Sequence, residues 1–519
     1  MVSMMTDLTK TIEELNATIA ALQTSIQSLK EDNALLLEEN KYLKRKLFGS
    51  KSEKISSTDP QQLSLFDEPE NECKEEPLEE ITYSRNKKRF KGEKQLKLED
   101  LEHVKELYDV EEKERVCDVC HSKMHRAGEE FVRSEVVYKP AKLYVKDIYR
   151  VSYQCRTCRK NNKVSIIKAG TPSPVIPHSY ASSSAVTQII IDKYVNHMPL
   201  YRQESQWKRL GLKLSRTTMA NWVIITSKEY FIPLVNRMHE LLIQEAYVHC
   251  DETTVQVLNE PGKEAISKSY MWVYSSIKES EHPIKIFEYK PDRSAANPQN
   301  FLKGFKGTTI TDGYHGYSNI DGVINAYCWA HVRRRFYDAL PSDLKDGTNT
   351  LAKEAVDKIA KLFVIEKEIN ELSAGEKVKV RQEKSKPFID DFFSWCQNNE
   401  NKVLTRSKLG KAISYALKYE KGLLVYLDDG YVPMTNSLDE KTIRPFTVGR
   451  KNWMFSASTK GANASAAAFS LIETAKANHL DPYDYIEYLL EIMPNIDFIK
   501  NPKRLDDFMP WSDQTQSIF

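Results

Sequence analysis

Apolar residues at the N-terminus recur at alternating intervals of four and three: Leu8, Ile12, Leu15, Ile19, Leu22, Ile26 and Leu29, then Asn33, Leu36, Asn40, Leu43 and Leu47. An unbroken heptad predicts a coiled coil over residues 1–48, and isoleucine at one core position with leucine at the other favours two parallel strands. Asn33 and Asn40 fall on the isoleucine position, where a buried amide costs stability but pairs with its mate and fixes register. Residues 8–47 are therefore expected to join two copies of the chain. The alternative is an amphipathic helix packed on the chain's own body.

Beyond Gly49 the period dissolves into Ser, Pro and charge, which predicts a disordered linker over 49–105, acidic from Asp67 to Glu80 and basic from Arg85 to Lys97. Alternation returns at Phe131–Tyr138 and Leu143–Arg150, two predicted strands. Helical spacing runs from Ala185 to Ser227, with Gly211 between Leu200–Leu210 and a second helix capped by Ser215. Strands are predicted at Tyr247–Val257, Tyr270–Ser275, Ile284–Tyr289 and Thr308–Tyr314, then helices from Leu351 to Leu427 and from Ala457 to Ala477.

The chain has 519 residues, enough for about three domains. Its 75 Lys+Arg stand against 73 Asp+Glu, a net charge of +2, which excludes a nucleic-acid binder that works by global basicity and leaves only local patches. No apolar run approaches the roughly 18 residues of a membrane span, and the N-terminus lacks the order of a secretory signal, so a cytoplasmic, nucleoid-associated protein is expected, with no membrane partner.

Four of the eight cysteines form two C-x-x-C pairs, Cys117/Cys120 and Cys155/Cys158, on either side of the two strand-like stretches at 131–150. Two such knuckles brought together by a hairpin supply four sulfur ligands to a closed, structural Zn2+ site, a zinc-ribbon-like β module over 106–168; His121 or His125 could replace one sulfur. Flanking Arg115, Lys123, Arg156, Arg159 and Lys160 would face a polyanion. The helix, glycine turn and helix over 180–230 suit a helix-turn-helix, whose second helix would offer Arg216, Thr217, Thr218 and Asn221 to a DNA groove; an ordinary helical hairpin fits the same pattern. In the linker, Gln62, Leu63, Leu65 and Phe66 form an apolar cluster in a polar tract, similar to the pentapeptide that docks bacterial proteins on the sliding clamp. The same cluster could instead tuck against the body of the chain.

Acids interrupt two of the predicted strands: Asp251-Glu252 in the first, and Asp312 at the end of an apolar run. Buried strands rarely carry acids without a task. Taken singly, Asp251 could be an edge-strand acid, Asp312-Gly313 turn chemistry and Ser437-x-x-Glu440 a capping box.

In order, the zipper, Lys46-Leu47-Phe48-Gly49, the paired C-x-x-C module, Leu200-Tyr201-Arg202-Gln203-Glu204, Asp251-Glu252-Thr253, Asp312-Gly313-Tyr314 and Gly449-Arg450-Lys451-Asn452-Trp453-Met454-Phe455 resemble transposases of the insertion-sequence-sixty-six type, nearly end to end. That resemblance implies an α/β ribonuclease-H-like catalytic core over 240–340 and 430–480, interrupted by a helical insertion at 345–428 and followed by a C-terminal element at 481–519. It implies a catalytic triad of Asp251, Asp312 and Glu440 holding two Mg2+ ions, which would cleave and join double-stranded DNA at element ends, with accessory proteins as further partners. His331 with Arg333, Arg334 and Arg335, and Arg450 with Lys451, are expected to contact phosphates; His331 could instead be a satisfied core residue and the three arginines after it a solvated face. Where the family usually has Asp-Asn-Asn and then Glu-Arg, this chain has Thr435-Asn436-Ser437 and then Glu440-Lys441. Two other functions share these features: a DNA-binding regulator without chemistry, and a general nuclease of the same fold.

Overall fold

A computed structural model describes residues 143–154, 166–168, 170–318, 320–341 and 350–519, together with Thr18, Ile19, Gln23 and Lys30. Those four N-terminal residues are helical. The remainder of the predicted coiled coil, the linker with its Gln62–Phe66 cluster, the strand-like stretch at 131–138 and all four paired cysteines lie outside the described residues.

The Leu143–Arg150 stretch is not a strand. Residues 143–151 are exposed and irregular, with Tyr144 and Tyr149 open to solvent, and pairing begins only at β1 (Ser152–Gln154), antiparallel to β2 (Ile166–Lys168). Alternation alone suggested the strand, and among the described residues no neighbouring strand takes up the backbone groups of residues 143–151.

From Ser183 the helices follow the predicted pattern. Ser183–Tyr194, Leu200–Arg209 and Arg216–Thr226 are helical, the last capped by Ser215, whose hydroxyl accepts the Thr218 N–H. The chain then continues through one π-turn at Ser227–Phe231 into Ile232–Leu242. Their apolar faces, with Ile189, Ile190, Met219, Phe231 and Met238, share one core with the sheet that follows.

That sheet is built on a long central strand, β3 (Tyr247–Asn259). It pairs antiparallel with β4 (Lys268–Ser276), which pairs antiparallel with β5 (Lys285–Lys290). On its other side β3 runs parallel to β6 (Thr308–Thr311), which is parallel to β7 (Ile324–Tyr327), giving the order β5-β4-β3-β6-β7. The far end of β3 takes a short parallel strand, β8 (Ser456–Ser458). β7 escaped sequence reading because Ile324-Asn-Ala-Tyr is too short to show a period.

The exposed edge of β5 is closed by the helix Thr459–Ala477, in which every residue from Ala464 to Ala475 is buried. Small alanines let the helix approach closely, and two hydroxyls act as an extra strand. Ser470 Oγ accepts the Phe287 N–H at 2.8 Å, and Thr474 Oγ1 accepts the Lys285 N–H at 3.0 Å. An edge that would otherwise template foreign strands is thereby satisfied.

The insertion is helical as predicted: Leu351–Glu368, Ala374–Val380, Lys386–Glu400, Lys408–Lys418 and Glu420–Asp428. It builds a second core, Ile359, Leu362, Phe392, Phe393 and Ile413, against Trp329, Val332 and Phe336 of the helix Trp329–Asp338, which follows β7. Buried Arg381 ties this insertion to the return of the chain. Its guanidinium pairs with Glu366 at 2.7 and 2.9 Å and donates to the carbonyls of Tyr426, Asp429 and Val432 at 2.8, 3.0 and 3.2 Å. Among the described residues no helix is long and apolar enough to cross a membrane.

Removing the guanidinium strands a largely buried carboxylate and three carbonyls, and breaking such a pair from one side costs about 3–5 kcal/mol. Arg381→Met should therefore lower the denaturation midpoint strongly, while Arg381→Met with Glu366→Leu should recover part of the loss. An unchanged midpoint in the single variant would refute this role.

Candidate active site

Strand register decides which acids meet. β3 and β6 pair as His249 with Ile310, so Asp251 and Asp312, each two residues further on, stand level, Asp251 within β3 and Asp312 just past the end of its parallel neighbour β6. Asp251 is thus on the central strand, not an edge. Asp312 leaves the sheet through Gly313, at φ +85°, where a Cβ would also lie 2.7 Å from the Tyr415 hydroxyl; only glycine permits the turn. Asp312 does use turn chemistry, its Oδ1 accepting the Tyr314 N–H at 2.8 Å, but Oδ2 remains turned to the site, 4.0 Å from Arg293.

The third acid arrives on the helix Ser437–Trp453. Asn436, just before it, is fully buried: its Oδ1 accepts from His249 Nδ1 at 2.6 Å, and its Nδ2 donates to the Cys250 carbonyl at 3.1 Å. The accepting oxygen means that Nδ1 carries the proton, and burial pushes His249 down to about 4, so the ring is neutral. The Asn436 N–H also points at Cys328 Sγ, 3.1 Å away. The start of the Glu440 helix is therefore pinned to the residues immediately before Asp251 and to the end of β7.

Glu440 is not a capping residue. Ser437 bonds to Thr435 instead, and Glu440 Oε1 lies 3.3 Å from Arg334 and 3.8 Å from His331 Nε2. His331 sits between acids: burial lowers its pKa, while the nearby carboxylates of Asp312 and Glu440 oppose that shift. Asp312 and Glu440 thus both act on His331, and Asp251 stands level with Asp312 on the adjacent strand, although among the described residues no three His, Cys, Asp or Glu side chains form a group that could hold a metal ion.

The electrostatics are those of crowded acids. Asp251 is held well above the usual carboxylate range by burial first and then by Glu252, Asp439 and Asp312. Glu252, on the opposite face of β3, is also raised by burial and by Asp312, but Tyr317 donates to it at 2.7 Å and Arg293 Nε at 2.7 Å. Hard oxygen donors that repel one another suit a divalent cation, which would offset the repulsion.

Sequence reasoning missed Arg293, Tyr317, His249 and Asp439. The first two lie in stretches without period, and His249 only gains meaning from its place two residues before Asp251 on the same face. Asp439, the neighbour of Glu440, is fully buried beside Ser275, whose hydroxyl donates to it.

The remaining predicted contacts divide. Arg216, Thr217 and Asn221 are exposed along their helix, and Thr218 is half-buried against Ser215. Arg333 lies over the Phe363 ring, and Arg334 is taken by Glu440. Arg450 is half-buried and donates to Thr253 Oγ1 at 3.0 Å and Thr254 Oγ1 at 3.2 Å, fastening its helix to β3, whereas Lys451 is exposed.

Asp439 gives the site a pH signature. Burial, partly opposed by the Ser275 bond and by Lys285, pushes its carboxyl up to about 8, so the folded chain takes up a proton that an unfolded aspartate lacks at neutral pH. That contribution to stability is complete below about pH 4 and is lost as pH rises through about 8. With a chelator present, the melting temperature should fall between about pH 6 and about pH 9 more steeply in the wild type than in Asp439→Asn. Parallel curves would sink this assignment.

Comparison with known proteins places these features. The chain matches the model of the Transposase IS66 family over residues 178–464, the IS66 C-terminal element over 470–511, and the zinc-finger binding domain of transposase IS66 over 114–159. A further model, described as Transposase C of IS166 homeodomain, matches residues 35–105. Two uncharacterised proteins of Sinorhizobium fredii are similar. y4jD is 29% identical over 92% of this chain and 94% of its own length, and y4hP is 28% identical over 76% and 73%. A solved structure, the Drosophila P element transposase strand transfer complex, matches 63% of this chain and 94% of its own at 12% identity with a TM-score of 0.22, below what a shared fold gives.

Proposed function

Because the chain belongs to the IS66 transposase family, we propose that it binds double-stranded DNA at the ends of its own mobile element and cuts and joins strands there by metal-dependent chemistry on Asp251, Asp312 and Glu440. The observation that carries this reading is the level placement of Asp251 and Asp312 on adjacent parallel strands, with the Glu440 helix pinned beside them through Asn436. The strand order β5-β4-β3-β6-β7, three antiparallel and two parallel, with an acid midway along the central strand and another at the end of its parallel neighbour, supports a ribonuclease-H-like core.

The three carboxylates would hold Mg2+ through hard oxygen donors, and what the metal supplies is activation of a water or DNA 3′-hydroxyl and stabilisation of the departing oxygen. The chain's own part is placement. His249, neutral and buried, keeps Asn436 in position, and Asn436 keeps the Glu440 helix in register with Asp251. Arg293 neutralises Glu252 so that this extra acid does not compete, and Arg334, 40% exposed, offers a guanidinium to phosphate beside Glu440. The departures at Thr435 and Ser437 leave this machinery intact, because the pinning atoms belong to Asn436.

Upstream, a structural Zn2+ on Cys117, Cys120, Cys155 and Cys158 is supported by the zinc-finger match over 114–159. Four thiolates leave no open position, so that metal would shape a DNA-facing module and take no part in cutting. The exposed Arg216, Thr217 and Asn221 would meet the duplex, and a parallel coiled coil over 8–47 would bring two sites to two ends. The clamp-like Gln62–Phe66 cluster would add a docking tether to replicating DNA.

Purified full-length protein with labelled DNA carrying candidate element ends should cut in Mg2+, and Asp251→Asn or Glu440→Gln should abolish cutting while retaining DNA binding. Binding without cutting by the wild type would favour a regulator. Cutting of unrelated DNA at the same rate would favour a general nuclease.

A further inference from the structure

A second polar site lies away from the carboxylates. Between the helix Leu200–Arg209 and the C-terminal end of the Glu440 helix is a groove of about 610 Å³, lined among others by His197, Tyr201, Arg202, Gln206, Arg209 and Asn452. That volume suits a nucleotide-sized ligand, for which sites run from about 300 to about 1,000 Å³.

Three independent features mark it as built for a ligand. First, neither Arg202 nor Arg209 has an ion-pair partner among the described residues; Arg202 instead lies over the half-exposed Tyr201 ring and donates to its hydroxyl at 3.1 Å. Second, polar atoms at the groove are buried without a hydrogen-bond partner among the described residues: His197 Nδ1, Gln206 Oε1 and the neighbouring Trp453 Nε1. Such orphans call for a partner that the chain does not supply. Gly449 makes room for two of them, since a Cβ there would lie 2.9 Å from Trp453 Nε1 and 3.1 Å from His197 Nδ1. Third, His197, which lines the groove, and Met454, two residues after the lining Asn452, are at φ +55° and +63°, two of the four non-glycine residues described in the left-handed region. Strain of that kind is retained where the surroundings hold it in place for a task.

We infer that this groove takes one unpaired nucleotide of the DNA strand that runs to the carboxylates. The chemistry selects it: two guanidiniums for phosphate and a half-exposed aromatic ring for stacking, above polar atoms that the chain leaves unpaired. A base stacked inside a duplex would not offer its face to that ring. Asn452 lies on the same helix as Glu440, twelve residues on, about 18 Å at 1.5 Å per residue. At about 3.4 Å per nucleotide, the bound base lies about five nucleotides from the cleaved phosphate. Arg450, fastened to Thr253 and Thr254, ties that end of the helix to the strand of Asp251, so groove and carboxylates keep a fixed separation.

This inference rests on the DNA-acting reading above, and its test separates the two. Fluorescence anisotropy of full-length protein would compare a labelled blunt duplex with the same duplex carrying a short oligothymidine extension. The wild type should bind the extended duplex about tenfold more tightly. Tyr201→Ala and Arg209→Ala should lose that preference while binding the blunt duplex as before, and Tyr201→Phe, which keeps the ring, should retain it. Equal affinity of the wild type for both probes, or a preference untouched in Tyr201→Ala and Arg209→Ala, would overturn the groove's role alone. Binding to neither probe would overturn the DNA-acting reading with it.

Discussion

One buried side chain joins β3 to the helix that carries Glu440. The Asn436 carboxamide spends its acceptor on His249 and one donor on the Cys250 carbonyl, in a place where an unpaired amide would be costly. Between β7 and Asn436 the chain makes a long helical excursion with its own core, and nothing in the sequence spacing says where it must return. The return is fixed by this amide and by Arg381, which gathers the carbonyls of Tyr426, Asp429 and Val432 at the end of the excursion. Register between Asp251 and Asp312 follows from strand pairing; register between Asp251 and Glu440 follows from Asn436.

Electrostatics explain why the surroundings are so elaborate. Five acids, Asp251, Glu252, Asp312, Asp439 and Glu440, come from three separate segments into a partly dry region, and each pair of like charges raises the free energy of the ionised state. Three of these acids each have a different side-chain partner. Arg293 and Tyr317 hold Glu252, Ser275 donates to Asp439, and Arg334 meets Glu440. Asp251 alone has only a local backbone donor, the Glu252 N–H at 2.8 Å. It is the carboxylate whose charge a bound cation would offset most.

Much of this was legible before the structure. The helix caps at Ser215, the strands at 247–257, 270–275 and 284–289, the helical insertion and the buried alanine-rich helix follow from period and capping alone, because each is a local signal. Long-range features were not legible. β7 is too short to show a period, and the strand expected at Leu143–Arg150 has the right alternation but no pairing neighbour among the described residues. The Arg293–Glu252 pair joins residues in β3 and in a loop after β5 that no pattern connects. The acids themselves were placed by family resemblance, since any single one of 73 could be turn, cap or surface chemistry.

Asp251, Asp312 and Glu440, though they come from three distant segments, are proposed to act as one metal site. Substituting Fe2+ for Mg2+ and generating hydroxyl radicals at the bound ion cuts the backbone only where it lies close to the metal, and mass spectrometry reads the cuts. Cuts should appear together around residues 251, 312 and 440, and excess Mg2+ should suppress all three. Cutting near 251 and 312 with the 440 segment untouched would contradict the claim and remove Glu440 from the site.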